Sequence, residues 1–322
     1  MGKKLEKLEH LREYGIVNLT DGRLVSIACH DVSKEENLTI INDLNKENKE
    51  KRDKILRFKN FNKKIGGFYF MIYSNNKALF ADIPEVKNED LVKLLYLASY
   101  MDYEDRYGNK VCKVIGGNKK VPMPKREVFG LLRFGNQTKA KNWFLKMESL
   151  GLLYIYDDSV ELNKKYFTKG KSEIEDKYTR VYVNTVRGLY EGCDLRKHRQ
   201  IGLILRLLPY MNINSNIICD NPTEISGVKI HKLNRYEIAD ILDINKDKRN
   251  IAKMVRNLLN LKVEFENYEL QIFKLVKVYD TDLVEEYFVV NPILAYKGND
   301  YYKLQEILKT YFFDEGDIKI IR

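Results

Sequence analysis

One segment, KDKRNIAKMVRNLLNL, holds the residues whose types and spacing best define a chemistry. Arg249, Lys253, Arg256 and Asn260 recur there at i, i+4, i+7 and i+11, so at 100° per residue they line one side of a helix. Ile251, Met254 and Leu258 fall on the opposite side. Such a row can pair with successive phosphates. Lys246 and Lys248 carry the charge back into the preceding turn. A solvated helix face can have the same composition, so the row needs a scaffold before it means more.

That scaffold is legible just upstream. In RYEIADILDIN, apolar residues at Ile238, Ala239, Ile241 and Leu242 predict a short helix, and Asn245 to Lys248 form a polar turn before the second one. Two short helices, a tight turn and strand-like residues afterwards predict a helix-turn-helix whose second helix could enter a major groove.

Other motifs lack essential parts. TKGKS, ending at Ser172, has Lys165 where a phosphate loop needs its first glycine. The four histidines never pair at i+2 or i+4, and the four cysteines show no CxxC spacing. Glu285-Glu286 and Asp157-Asp158 fall in expected turns or wings. The expectation is therefore no enzyme, no metal site and no cofactor.

A net charge of +10 and 44% hydrophobic residues suit a well-packed chain with a polyanionic partner. The abundant lysine accompanies abundant asparagine, isoleucine and tyrosine, as in AT-rich coding sequence, which weakens the charge argument. No stretch is apolar enough to span a membrane and none resembles a secretory leader, so the expected location is cytoplasmic.

From Ile65 onward the chain is written twice. Phe68 to Asp102 aligns with Tyr178 to Asn212 at an offset of 110 (178 − 68), and KREVFGLLRFG aligns with RYEIADILDIN at the same offset. After one inserted residue, Ala140, Trp143, Phe144, Met147 and Leu150 fall on Ile251, Met254, Val255, Leu258 and Leu261. ELNKKYFTKG and VVNPILAYKG close the two blocks. The expected fold is α+β: tandem duplicated winged helix-turn-helix domains after a small N-terminal α/β and charged helical region. The expected boundaries are 1–64, 65–172, 173–300 and 301–322. Within 1–64 we expect a helix over Met1 to Tyr14, a hairpin around Asp21-Gly22, and a charged helix or connector from Ser33 to Asn62. The second wing is expected to grow by insertion, in three strand-like pieces.

The first block offers a milder surface. Gln137, Thr138, Lys139, Lys141 and Asn142 could touch DNA, with Lys146 at the flank, but Leu145 is expected to be exposed among them, which favours a protein contact. Asp157, Asp158, Glu264, Glu266 and Glu269 would make both wings acidic.

The segments GFYFMIY, LLYLASYMDY and KREVFGLLRFGNQTKAKNWFLKMESLGLLY, with the closing strands ELNKKYFTKGK and VVNPILAYKGND, resemble the RepL-like winged-helix plasmid replication proteins of low-GC Gram-positive bacteria. Two winged helices in one chain are more loosely similar to theta-type initiators. The resemblance spans Gly66 to Asp300. It implies a sequence-specific double-stranded DNA-binding protein of a plasmid or phage that initiates replication and recruits host replication proteins. A homodimer through the first winged helix is a further expectation. A regulator of the same mobile element and a protein-docking scaffold are the alternatives. Tandem domains would be expected to read direct repeats or one long asymmetric site.

Overall fold

The computed structural model describes residues 17–18, 24–26, 46, 49–50, 52–53, 55–72, 83–102, 107–115, 119–170, 178–265, 268–280, 283–298, 300–313 and 319–320. The helix expected over Met1 to Tyr14 lies outside the described residues. The chain divides into two compact units, Met1–Asn60 and Phe61–Arg322. In the first, β1 (Val17–Asn18) and β2 (Leu24–Ser26) pair antiparallel, while the turn expected at Asp21-Gly22 lies outside the described residues. Within Ser33 to Asn60, the described residues are helical and nearly all exposed. Its lysines, glutamates and asparagines leave too few apolar anchors to build a core.

The second unit is mixed α+β with several small sheets. At its centre lie β3 (Phe68–Ile72) and β9 (Tyr178–Tyr182), FYFMI and YTRVY, rich in the aromatic and branched residues that fill a pleated surface. They pair antiparallel, Phe68 opposite Tyr182, Phe70 opposite Arg180 and Ile72 opposite Tyr178. Adding 110 to either end of this ladder returns the other end, so a local twofold axis passes through Phe70 and Arg180. β8 (Phe167–Thr168) and β14 (Ala295–Tyr296) flank the pair in the order β14-β9-β3-β8. Across the same axis α1 (Asn88–Ala98) packs on α5 (His198–Leu205). The approach is close enough that a Cβ on Gly202 would collide with the Asn88 carbonyl.

Around this centre the same hydrogen bonds occur twice. Ile72 N–H donates to Tyr166 O at 3.1 Å, and Tyr182 N–H donates to Leu294 O at 3.0 Å. Cys112 N–H donates to Tyr100 O at 3.0 Å, and Cys219 N–H to Tyr210 O at 2.8 Å. Two fully buried asparagines act alike: Asn109 Nδ2 donates to Leu162 O and Phe167 O, and Asn216 Nδ2 to Val290 O and Ala295 O. Each ties the end of one hairpin to a closing strand, satisfying buried carbonyls that no ladder reaches.

The remaining elements match in part, a helix pair followed by hairpins in each half. The first half has a hairpin of β4 (Cys112–Ile115) and β5 (Lys119–Pro122), then α2 (Lys125–Leu131), α3 (Gln137–Ser149), and a hairpin of β6 (Leu153–Tyr156) and β7 (Ser159–Leu162). The second has α4 (Val183–Glu191), α5, α6 (Arg235–Ile241), α7 (Lys248–Leu259), and then two hairpins. These are β10 (Lys262–Phe265) with β11 (Tyr268–Gln271), and β12 (Phe273–Asp280) with β13 (Leu283–Val290).

The extra length is placed differently from the expectation of one longer wing. Leu153 pairs with Leu162, and Phe273 pairs with Val290. The offset thus rises from 111 at Leu150/Leu261 to 120 at Leu153/Phe273 and 128 at Leu162/Val290. Nine residues (120 − 111) form a separate hairpin ahead of β12–β13, and eight (128 − 120) make β12–β13 longer than β6–β7. Glu264 and Glu269 belong to the added hairpin, where they face each other, and not to the wing. The chain ends in α8 (Tyr301–Tyr311), which buries Leu304, Ile307 and Leu308, and β15 (Lys319–Ile320), which pairs with β11. Among the described residues no helix is long and apolar enough to cross a membrane.

Candidate nucleic-acid interface

Helix α7 is built as its periodicity predicts. Asp247 caps it, its Oδ1 accepting from Asn250 N–H at 2.8 Å, and Ile251, Met254 and Leu258 are buried beneath. Lys248, Arg249, Lys253, Arg256 and Asn260 are all exposed. Among the described residues none of these five has an ion pair or side-chain hydrogen bond to a neighbour, so their charge and donors face solvent. Lys246 is different: its ammonium sits 2.6 Å from Asp240, which diverts it from the row.

The helices before α7 are fixed independently. Asn234 and Glu237 form a reciprocal cap at the start of α6. Arg206 reaches from α5 to Asp243 in the turn at 2.9 Å, and Arg235 at the head of α6 is paired to Glu286 on β13. That guanidinium holds the Glu286 carboxyl below its ordinary range. Lys232 pairs with Glu285 one residue away, at 2.6 Å. Turn, helix and wing are thereby joined by charge as well as by packing.

The α2–α3 pair has the same shape with other residues. Arg133 (φ 51°) and Asp243 (φ 54°) turn the chain at matching positions, each a left-handed conformation unusual outside glycine. Asn136 caps α3 by accepting from Lys139 N–H at 2.8 Å. Ala140, Trp143, Phe144 and Met147 are buried, whereas Gln137, Thr138, Lys139, Lys141 and Asn142 are exposed. Leu145 is 50% exposed, in keeping with the helical wheel. Lys146 does not belong to that surface. It donates to Asp90 at 2.8 Å and to Glu85 O at 2.6 Å.

Asp90 is the residue that periodicity could not single out. Its carboxylate, 4% exposed on α1, accepts from the Trp143 indole N–H at 2.8 Å as well as from Lys146. Two donors from one face of α3 meeting one buried acid fix that helix to α1 in rotation and height. At the corresponding positions the second half has Gln200, Met254 and Asn257, so the carboxylate, the indole and the ammonium of this contact are all missing there. The clue was available only as a lone aspartate in an otherwise apolar helical stripe.

An open concavity lined by Lys125, Arg126, Phe129, Gln137 and Asp158 brings together the starts of α2 and α3 and the turn of the first wing. These three features therefore share one side of the half.

A further polar group lies away from both helix pairs, at the end of α1. Lys169 donates to Met101 O at 3.0 Å, and burial, with Lys120 and Arg187 nearby, lowers its ammonium to about 7. Asp102, 1% exposed, is 3.3 Å from Lys120. Burial also pushes the Cys112 thiol up to about 11, leaving it a protonated core group.

No protein family, curated protein or solved structure matches the chain.

Proposed function

We propose that the chain is a sequence-specific double-stranded DNA-binding protein made of two winged-helix halves, and that it acts as a plasmid or phage replication initiator at its origin. The observation that carries the DNA reading is the α7 row: Arg249, Lys253 and Arg256, exposed and unpaired, on the second helix of a capped helix-turn-helix. The doubled hydrogen bonds and the ladder centred on Phe70 and Arg180 support descent of both halves from one winged helix. The role in replication rests on the resemblance of the hairpin, helix and closing-strand motifs.

The twofold relation alters the expected site. Two readers related by a local dyad meet DNA in opposite directions, which favours inverted half-sites within one footprint over direct repeats. The exposed Leu145 favours a second role for α3, self-association through the first half.

The test is a salt titration of binding to a random duplex and to one selected by the wild-type protein, for wild type and the Arg249→Ala/Lys253→Ala/Arg256→Ala variant. Wild type should prefer the selected duplex, and the variant should lose up to about 2.7 (3 × 0.9) units of slope in log K against log salt. Weak binding that ignores sequence and is unchanged in the variant would leave a protein-docking scaffold as the better account.

A further inference from the structure

We propose that the β4–β5 hairpin is a second DNA contact, a prong whose exposed Val114 and Ile115 enter the minor groove beside the major groove faced by α3. This rests on the DNA-binding reading above. The first support is position. Isolated bridges join Lys110 to Glu161 and Pro124 to Ser159, and Lys125 N–H donates to Asp158 O at 2.7 Å. The root of the hairpin thus runs along β7 to the wing turn. Because the wing turn shares a concavity with Gln137, the prong rises on the side where α3 begins. A structure flanking a helix in the major groove meets the neighbouring minor groove.

Chemistry is the second support. The wing turn itself offers Asp157 and Asp158, which phosphates would repel. The hairpin offers the reverse: from Cys112 to Lys125 there are four lysines and no acid. In its register Val114 lies opposite Lys120 and Ile115 opposite Lys119, so each face pairs a branched aliphatic with a cation. Val114 is 59% and Ile115 40% exposed. Lys113 is held by Glu127 at 2.5 Å and Lys120 by Asp102, while Lys119 is exposed and has no ion pair among the described residues. Aliphatic side chains flanked by lysines are what minor-groove wedges use to part a base step while keeping the backbone close.

The third support is recurrence. Ile225, at the offset of 110 from Ile115, is 76% exposed, and nearby Val228 is 97% exposed. The second half therefore holds out bare aliphatics from the corresponding loop. A protein partner would leave the lysine-only composition unexplained; a polyanion accounts for both features.

The experiment uses the full chain and a duplex of about 30 bp selected by the wild-type protein, end-labelled for energy transfer and carrying 2-aminopurine at the flanking steps. Val114→Ser/Ile115→Ser should bind about tenfold more weakly, bend the duplex less and lose the 2-aminopurine signal, with the salt slope unchanged. Lys119→Ala should lower the slope by about 0.9 and leave the bend in place. The Ile115→Ser single variant gives an intermediate loss, and thermal melts should match wild type because both side chains are exposed. If the serine variant binds and bends like wild type while the α7 triple variant fails to bind, the prong is overturned and the DNA reading survives. If the serine variant instead loses only self-association, the surface joins proteins and the proposal falls. If the α7 triple variant binds as wild type does, without sequence preference, the DNA reading falls and takes the prong with it.

Discussion

Helices α3 and α7 occupy matching places in the two halves, yet they are held and decorated in opposite ways. α3 is fixed by a buried acid that binds Trp143 and Lys146, and its solvent face is mild, with Leu145 in the middle. The second half has no carboxylate at the matching position, and the solvent face of α7 is a row of exposed cations without ion pairs among the described residues. The residues that set a helix's position are thus distinct from those it presents to solvent. Around the two closing strands the hydrogen bonds are alike in both halves.

The largest effect that could break this comparison is electrostatic. The α7 triple alanine variant should lose more affinity and more salt slope than Lys139→Ala/Lys141→Ala on α3, by about one slope unit for the extra charge. Equal losses would mean that the halves contribute alike. Next is the lock: Asp90→Ala should destabilise the fold by about 2 kcal/mol in urea titration, because it strands a buried indole N–H and a half-buried ammonium. Gln200→Ala, the matching change in the second half, should fall within about 0.5 kcal/mol of wild type.

Smaller effects depend on pH. The Lys169 ammonium is lowered in the folded chain, so between about 7 and its ordinary value of 10.5 the unfolded chain binds more protons. Stability should therefore rise with pH through that window, and Lys169→Met should flatten the rise in thermal melts. Glu286 has the opposite sign. Its folded value is depressed, so its contribution is present above 4.5 and disappears as pH falls through the folded value. Glu286→Gln should cost about 1 kcal/mol or less at neutral pH and nothing in strong acid. Leu145→Glu should leave stability within about 0.5 kcal/mol while weakening any self-association seen by sedimentation.

The helix pairs could be read from the sequence because burial leaves a 3.6-residue imprint, which is why Ile251, Met254 and Leu258 were placed correctly beneath the row. The doubled order was likewise visible in residues of the same type at a fixed spacing. Other features left no periodic trace. The pairing of β3 with β9 joins residues more than 100 positions apart, and nothing local in FYFMI or YTRVY names the partner. In sequence the added hairpin merges with the next one because β10 to β13 all alternate in one continuous run, where only hydrogen bonding separates one hairpin from the next. Lys246 and Lys146 look like surface cations in sequence because the acids that hold them, Asp240 and Asp90, lie on other helices.

At the centre of the sheet, Phe70 faces Arg180, where a true twofold would require the same residue on both strands. Arg180 donates to the Lys297 and Gly298 carbonyls at 2.6 and 2.8 Å, whereas Phe70 has no such reach. An ordinary homodimer cannot tell left from right, since turning it over gives back the same object. A single chain with unequal centres lacks that degeneracy. On the DNA-binding reading proposed above, a duplex lying across both halves would be held with a defined polarity, so one chain would mark a direction as well as a place.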